Sequence, residues 1–284
     1  MRFGLFGTGP WAHLAHAPAL ADHQDVEFVG VWGRDPGKAG VLAAEHGARP
    51  YEKVEDLLGD VDAVAIALPP DVQAPLAARA ARAGRHLFLD KPIALTTAAA
   101  DAIVDAVTET GVRSVVFFTN RFKPSVVSFL REAIATGGWD GGRATLLGSV
   151  AGTPYDASPW RHEHGGLWDV GPHALSVLLP VLGPVVRVTA AAGPHQTSTV
   201  LLAHEGGAVS TMVLSLASPV TTWDVTFYGE SGWTSTQAEG DSHAAAVAAL
   251  TVLVEGEDTD CDVVLGRDIV AILESAAAAA GPMG

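Results

Sequence analysis

Cysteine is almost missing: Cys261 stands alone among 284 residues. A single thiol excludes an intramolecular disulfide and a cysteine-built metal cluster, and it suits a reducing cytosol. Positive charge is scarce too, with 17 Lys and Arg against 32 Asp and Glu and a formal net charge of −15. A protein that grips a polyanion needs a basic surface, so nucleic acid is not expected as a partner. Charged residues make up only 17% of the chain and hydrophobic ones 48%, which argues against long disordered tails. Long apolar runs are absent. Ala63–Leu68 and Ala244–Val254 are too short to span a bilayer, and Pro180, Gly183 and Pro184 interrupt Leu175–Val186. The opening run Met1–Phe6 meets a glycine turn too soon for a signal peptide. A soluble, cytoplasmic protein with no membrane partner is expected.

What is present is a rhythm. Short β-rich runs at Arg2–Phe6, Glu27–Trp32, Ala63–Leu68, His86–Leu89 and Ser114–Thr119 alternate with alanine-rich helical stretches. The helices are expected at Pro10–Ala21, Lys38–His46, Val54–Leu58, Val72–Ala83 and Thr97–Thr110, several closing on glycine. Such alternation predicts βαβ units and a parallel sheet. After residue 120 the rhythm changes. A helix at Pro124–Ala135, a strand at Ala144–Val150, a polar loop at Gly152–Gly166 and a helical stretch at Leu167–Leu182 precede five β runs. These runs, Val185–Ala191, Thr197–Ala203, Ala208–Ala217, Thr222–Tyr228 and Trp233–Gln237, have glycine turns between them and predict a largely antiparallel open sheet. Helices at His243–Val254 and Arg267–Ala280 follow. The expected architecture is α/β: a dinucleotide-binding domain over residues 1–119 and an α+β domain for substrate and oligomerisation over 120–284.

Gly7-Thr8-Gly9-Pro10-Trp11-Ala12 is a G-x-G-x-x-A turn set between a strand and a helix. Gly7 permits the tight turn, Gly9 lets backbone approach a pyrophosphate, and Ala12 allows close helix–strand packing. The helix N-terminus supplies N–H donors and partial positive charge. An ordinary strand–turn–helix is the plainer alternative. An acid normally closes the second strand to bind the adenosine ribose. Here Gly33 stands there, followed by Arg34 and Asp35. Without a carboxylate, a 2′-phosphate meets no repulsion and a guanidinium can grip it, which favours NADP over NAD. In the competing reading Asp35 reaches the ribose and Arg34 stacks on adenine. Trp11 either walls the cofactor or packs internally, and His13 and His16 are expected on the helix surface or between domains.

Leu68-Pro69-Pro70-Asp71 follows the third strand, and Asp90-Lys91-Pro92 the fourth of the runs above. Lys91 sits at the carboxyl end of a parallel strand, where doubly wound sheets bind ligands. With Asn120-Arg121-Phe122-Lys123-Pro124, Pro159-Trp160-Arg161 and Gly165-Gly166-Leu167-Trp168-Asp169-Val170-Gly171-Pro172-His173, the chain resembles the Gfo/Idh/MocA family of oxidoreductases along almost its whole length. The resemblance implies a Glu-Lys-Pro motif, here with Asp90, whose lysine is catalytic. It implies a trio of Lys91, Asp169 and His173 beside the nicotinamide. The cofactor would be held by Gly7, Thr8, Gly9, Pro10, Trp11, Arg34, Leu68, Pro69, Asp90 and Lys91. Substrate would meet Arg121, Trp160, Arg161 and His173. Asp169 and His173 are four apart, so one helix would carry them on one face. A helix-capping acid and a core histidine are the plainer alternative for this pair. Gln73 stands where many relatives have histidine and Ser176 where an aspartate often follows, departures that bear on substrate more than on chemistry.

His162, Glu163, His164, Asp169 and His173 carry groups that suit zinc, but the trio already accounts for two of them, so no metal is expected. The expected activity is NAD(P)-dependent hydride transfer with a sugar, cyclitol or related polyhydroxy or keto compound. Which of Lys91 and His173 moves the proton stays open. Redox-assisted elimination or glycoside cleavage with bound NAD, and a non-catalytic cofactor-binding protein, are the alternatives. A homodimer or homotetramer paired through the second sheet is expected, because one face of the run Val209, Thr211, Val213, Ser215 mixes apolar and small polar residues.

Overall fold

The structure is a computed structural model, and it describes residues 1–281. The chain folds as two units, Met1–Thr119 with Asp241–Asp268, and Asn120–Gly240 with Ile269–Gly284. The first change of unit falls where the sequence rhythm changes. The return of residues 241–268 to the first unit differs from the single crossing expected at 119/120. Apolar periodicity shows that a helix has a face to bury, not which sheet will cover it.

The first unit contains β1 (Arg2–Phe6), β2 (Glu27–Trp32), β3 (Arg49–Tyr51), β4 (Ala63–Ile66), β5 (His86–Asp90) and β6 (Ser114–Phe117). They form one parallel sheet in the order β3-β2-β1-β4-β5-β6, the doubly wound order of dinucleotide-binding folds. β4 and β6 are buried at every position, as parallel strands covered on both faces must be. Five helices connect them: α1 (Ala17–Asp22), α2 (Pro36–Glu45), α3 (Val54–Asp60), α4 (Pro70–Arg82) and α5 (Thr97–Thr110). Local chemistry sets their ends. Thr96 caps α5 by accepting from Ala99 N at 3.2 Å, and Gly111 stops it with φ 67°. Asp35 caps α2 by accepting from Gly37 N and Lys38 N at 2.9 and 3.2 Å.

The segment expected as one helix over Pro10–Ala21 is a π-helical turn, Ala12–His16, running into α1. Pro18 lacks an N–H, and its ring crowds the carbonyl four residues back. A widened turn with Ala17 N bonded to Ala12 O accommodates it. His16 is consequently not a surface residue. It is fully buried, with ring centroids 5.2 Å from Phe88 and 5.8 Å from Phe117. Burial pushes it down to about 3, so it is a neutral packing group at ordinary pH. His13 lies 3.4 Å from Glu45 at the half-exposed side of the same turn.

The second unit holds α6 (Pro124–Thr136), β7 (Trp139–Ser149), α7 (Pro159–Asp169), α8 (Gly171–Leu182), β8 (Val185–Ala192), β9 (Ser198–His204), β10 (Val209–Ser215), β11 (Ala217–Gly229) and β12 (Gly232–Thr236). Its sheet runs β12-β11-β7-β10-β9-β8, antiparallel throughout except for β7 beside β10. Met212, Leu214, Val200, Leu202, Val225 and Phe227 are fully buried on one face, where Phe129 of α6 stacks on Phe227 at 5.6 Å. The alternate residues Val209, Thr211 and Val213 point the other way and keep some exposure. The chain then enters α9 (Ser242–Glu255), which packs on α1, β5 and β6 of the first unit, and α10 (Val263–Ala280). Among the described residues, no helix is long and apolar enough to cross a membrane.

Candidate active site

The glycine turn follows β1. Gly7 has φ 131°, donates its N–H to Trp32 O at 2.9 Å, and would place a Cβ 2.3 Å from the Ala67 carbonyl oxygen. Only glycine fits there. A Cβ on Gly9 would meet nothing within 4 Å, which leaves open space against bare backbone at the start of a helix. That cradle fits a pyrophosphate, and the residues present therefore fit a dinucleotide. A Cβ on Gly33 would come within 2.7 Å of Thr8 Cγ2, so an acid at the end of β2 would require Thr8 to shift. Asp35 is engaged as the α2 cap, while Arg34 is exposed. Trp11 stacks on Phe117 with centroids 6.2 Å apart. Leu68 and Pro69 form the half-buried loop that leads into α4.

Lys91 follows β5 directly and is half-buried. A buried side chain on α4 fixes the loop around it. Gln73, with 0% exposure, donates from Nε2 to Asp90 O at 2.7 Å and to Pro92 O at 3.2 Å. Its Oε1 accepts from Asp90 N at 3.1 Å. Asp90 Oδ1 in turn accepts from Lys91 N at 2.9 Å. The lysine's backbone is thus held on both sides, and the side chain starts from a rigid base. Sequence reasoning marked Gln73 only as a departure; nothing local in the sequence signals a partner 17 residues away.

The other motif residues lie in the second unit. Asp169 ends α7, and Val170 (φ −104°, ψ −19°) separates it from α8, which carries half-buried His173 in its first turn. This corrects the single helix expected over Leu167–Leu182. Gly171 and Pro172 start a new helix there, because Pro172 has no N–H to continue the old one. A second break lies inside α7 at Gly165, with φ 61° and ψ −159°. Gly166 lies so close to β10 that a Cβ would sit 2.8 Å from Ser215 Cα. The break brings Arg161 to Asp169, with Nε 3.3 Å from Oδ2 and both side chains largely buried. Trp160 and Tyr155 rings flank the Arg161 guanidinium, each centroid 4.6 Å away. Arg121 donates to the Ser176 carbonyl, one turn beyond His173. Both arginines expected at substrate are therefore engaged with protein groups. His162 bonds Asp156 O at 2.6 Å, and the His164 ring meets Trp168 edge-on with centroids 6.1 Å apart. Among the described residues, no three His, Cys, Asp or Glu side chains could hold a metal ion together.

A parallel sheet in the dinucleotide-binding order joined to a mixed open sheet defines a two-part α/β class. The chain belongs to the Gfo/Idh/MocA family: the model described as oxidoreductase family, NAD-binding Rossmann fold, matches residues 1–118, and the GFO/IDH/MocA C-terminal domain matches 127–235. An inositol 2-dehydrogenase of Rhizobium meliloti (strain 1021) is 35% identical over 139 residues, 48% of this chain and 41% of that protein. A dTDP-3,4-didehydro-2,6-dideoxy-alpha-D-glucose 3-reductase of Streptomyces violaceoruber is 31% identical over 205 residues, 69% of this chain and 59% of that protein. The chain thus spans less than two thirds of either relative. The WlbA dehydrogenase from Bordetella pertussis, solved in complex with NADH and UDP-GlcNAcA, shares the fold with a TM-score of 0.84 at 23% identity, covering 99% of this chain and 96% of that one.

Replacing Gln73 with leucine removes three buried hydrogen bonds and should destabilise the protein by about 2–4 kcal/mol. Chemical denaturation of Gln73→Leu measures it, and a midpoint equal to the parent's would show that the loop does not depend on this amide.

Proposed function

We propose that this protein is an oxidoreductase that uses NADP, or less well NAD, to interconvert a hydroxyl and a carbonyl on a sugar, cyclitol or related polyhydroxy compound. The observation that carries the reading is the clamped loop: a primary amine at the carboxyl end of a parallel strand, in a sheet whose glycine turn has room for a pyrophosphate. The relatives' names, a cyclitol dehydrogenase and a nucleotide-sugar reductase, support the substrate class. A soluble cytoplasmic enzyme acting on a small molecule accords with this reading.

When bound, the nicotinamide supplies a hydride acceptor or donor; Gly7–Trp11, Arg34, Leu68, Pro69 and the Asp90–Lys91 loop would hold the dinucleotide. The protein's own task is to orient the reacting carbon and to manage one proton on its oxygen. Lys91 donates a hydrogen bond that polarises the oxygen, His173 gives or takes the proton, and Asp169 anchors the substrate by accepting a hydrogen bond. Lys91→Ala should leave cofactor affinity within about threefold and lower kcat by about a hundredfold or more. A turnover assay over a panel of sugars, cyclitols and their keto forms, followed by NAD(P)H absorbance, tests both statements. Near-full turnover of the variant would remove Lys91 from catalysis.

The NADP preference rests on two contacts. Thr8 fills the space an acid at position 33 would need, and the Asp35 carboxylate is occupied at the α2 cap. Arg34 remains as the group for a 2′-phosphate. Arg34→Ala should raise the NADP Kd about tenfold or more and leave NAD nearly unchanged. Calorimetric titration with both cofactors decides, and equal losses would mean stacking on adenine instead.

A dimer through the outer face of the second sheet completes the reading. Leu201, Val209, Tyr228 and Trp233 lie on that face and are 40, 38, 39 and 64% exposed. Such apolar surface on a sheet favours pairing with a second copy in closed symmetry. Light scattering should report a particle of twice 29.3 kDa or more at micromolar concentration; a monomer there would refute it.

A further inference from the structure

Arg161 is eight residues from Asp169, and in a straight helix that spacing puts them about 12 Å apart along the axis. They are nonetheless an ion pair, because Gly165 takes a backbone conformation outside the helix. A turn on the neighbouring connection supports the break. His195 and Gln196 have φ of 54° and 55°, Gln196 Nε2 donates to His162 O at 3.3 Å, and Ser215 Oγ donates to His195 O at 3.4 Å. Two consecutive non-glycine residues in the left-handed region are unfavourable, and such strain is retained where the surrounding structure needs the shape.

Arg161 is itself held in three ways. Its guanidinium carbon lies 4.6 Å from the ring centroids of both Tyr155 and Trp160, its Nε faces Asp169, and its Nη1 donates to Ser158 Oγ at 3.2 Å. A flat, delocalised cation suits stacking on two rings, whereas an ammonium does not.

We infer that Arg161 is a positioning residue for Asp169: fixed by its stacking on Tyr155 and Trp160, it holds the Asp169 carboxylate as an oriented anion. This rests on the functional reading above and deepens it. An Asp169 kept as an anion is a standing hydrogen-bond acceptor for a substrate hydroxyl, not a proton carrier, in keeping with proton transfer by His173. Arg161, with its charge on Asp169, is not the receptor for an anionic group of the substrate, in contrast to the direct substrate contact expected from sequence.

The test uses the full chain with Arg161→Met, Arg161→Lys, Asp169→Asn and the Arg161→Met/Asp169→Asn double variant. Circular dichroism checks folding, and Arg161→Gln, which also removes the cation, serves if the methionine variant does not fold. Arg161→Met should lower kcat about tenfold or more with cofactor KM unchanged, Arg161→Lys should recover only part of that, and the double variant should match Asp169→Asn alone. Additive losses would overturn the inference, as independent sites add. A second readout needs no turnover. The ¹³C-carboxyl resonance of Asp169, assigned by its loss in Asp169→Asn, should titrate at higher pH in Arg161→Met, or in Arg161→Gln if the methionine variant does not fold; an unchanged midpoint overturns the inference. Absence of turnover by the parent enzyme on every compound of the panel would strike the functional reading instead, and the carboxyl titration would still decide the ion pair.

Discussion

Close approach of bare backbone organises both units. At Gly7 the chain turns with its Cα against the Ala67 carbonyl, and the same residue's N–H ties to Trp32 O, so β1, β2 and the loop after β4 meet at one point. Any side chain there would push these three apart. Thr8 beside Gly33 and the open space at Gly9 lie next to that turn. In the second unit Gly165 and Gly166 play the same part. Gly166 lies directly on β10, and the reversal at Gly165 carries Asp169 back to Arg161. In each case a missing Cβ permits the backbone path, and in the second unit an ion pair then joins its two ends.

The locking groups are buried and few. Gln73 is an uncharged amide that satisfies three backbone groups at once, and in a fully buried position it brings no charge to desolvate. Arg161 and Asp169 solve a harder problem, since two largely buried ions must offset their desolvation through geometry and further contacts. Two aromatic rings and the Ser158 hydroxyl provide those contacts. His16 shows the opposite solution. Enclosed by Phe88 and Phe117, it stays neutral.

The alternation of strands and helices in the first unit and the composition of the cofactor turn were legible in the sequence because they rest on local signals. Thr97–Thr110 was readable to the residue, bracketed by a threonine cap and a left-handed glycine. The motif residues were legible through resemblance, and their order along the chain carried that reading. What stayed hidden depends on tertiary neighbours. β3 is three residues with a proline at its centre, Arg49-Pro50-Tyr51, and forms because β2 offers an edge. The π-helical turn, the break at Val170 and the return of α9 to the first sheet each follow from packing that no window of sequence contains. Arg121 and Arg161 were marked for substrate through the resemblance; the fold adds the Ser176 carbonyl and Asp169 beside them.

The central claim is direct transfer of hydrogen between nicotinamide and a carbinol carbon. A single turnover with NADPH carrying deuterium at both positions of ring C4, run against keto sugars and keto cyclitols and read by mass spectrometry, addresses it most directly. The account predicts one deuterium on the new carbinol carbon of the reduced product. Reduced product whose carbinol hydrogen came from solvent, or label retained by the cofactor with every compound while cofactor binds, would contradict it.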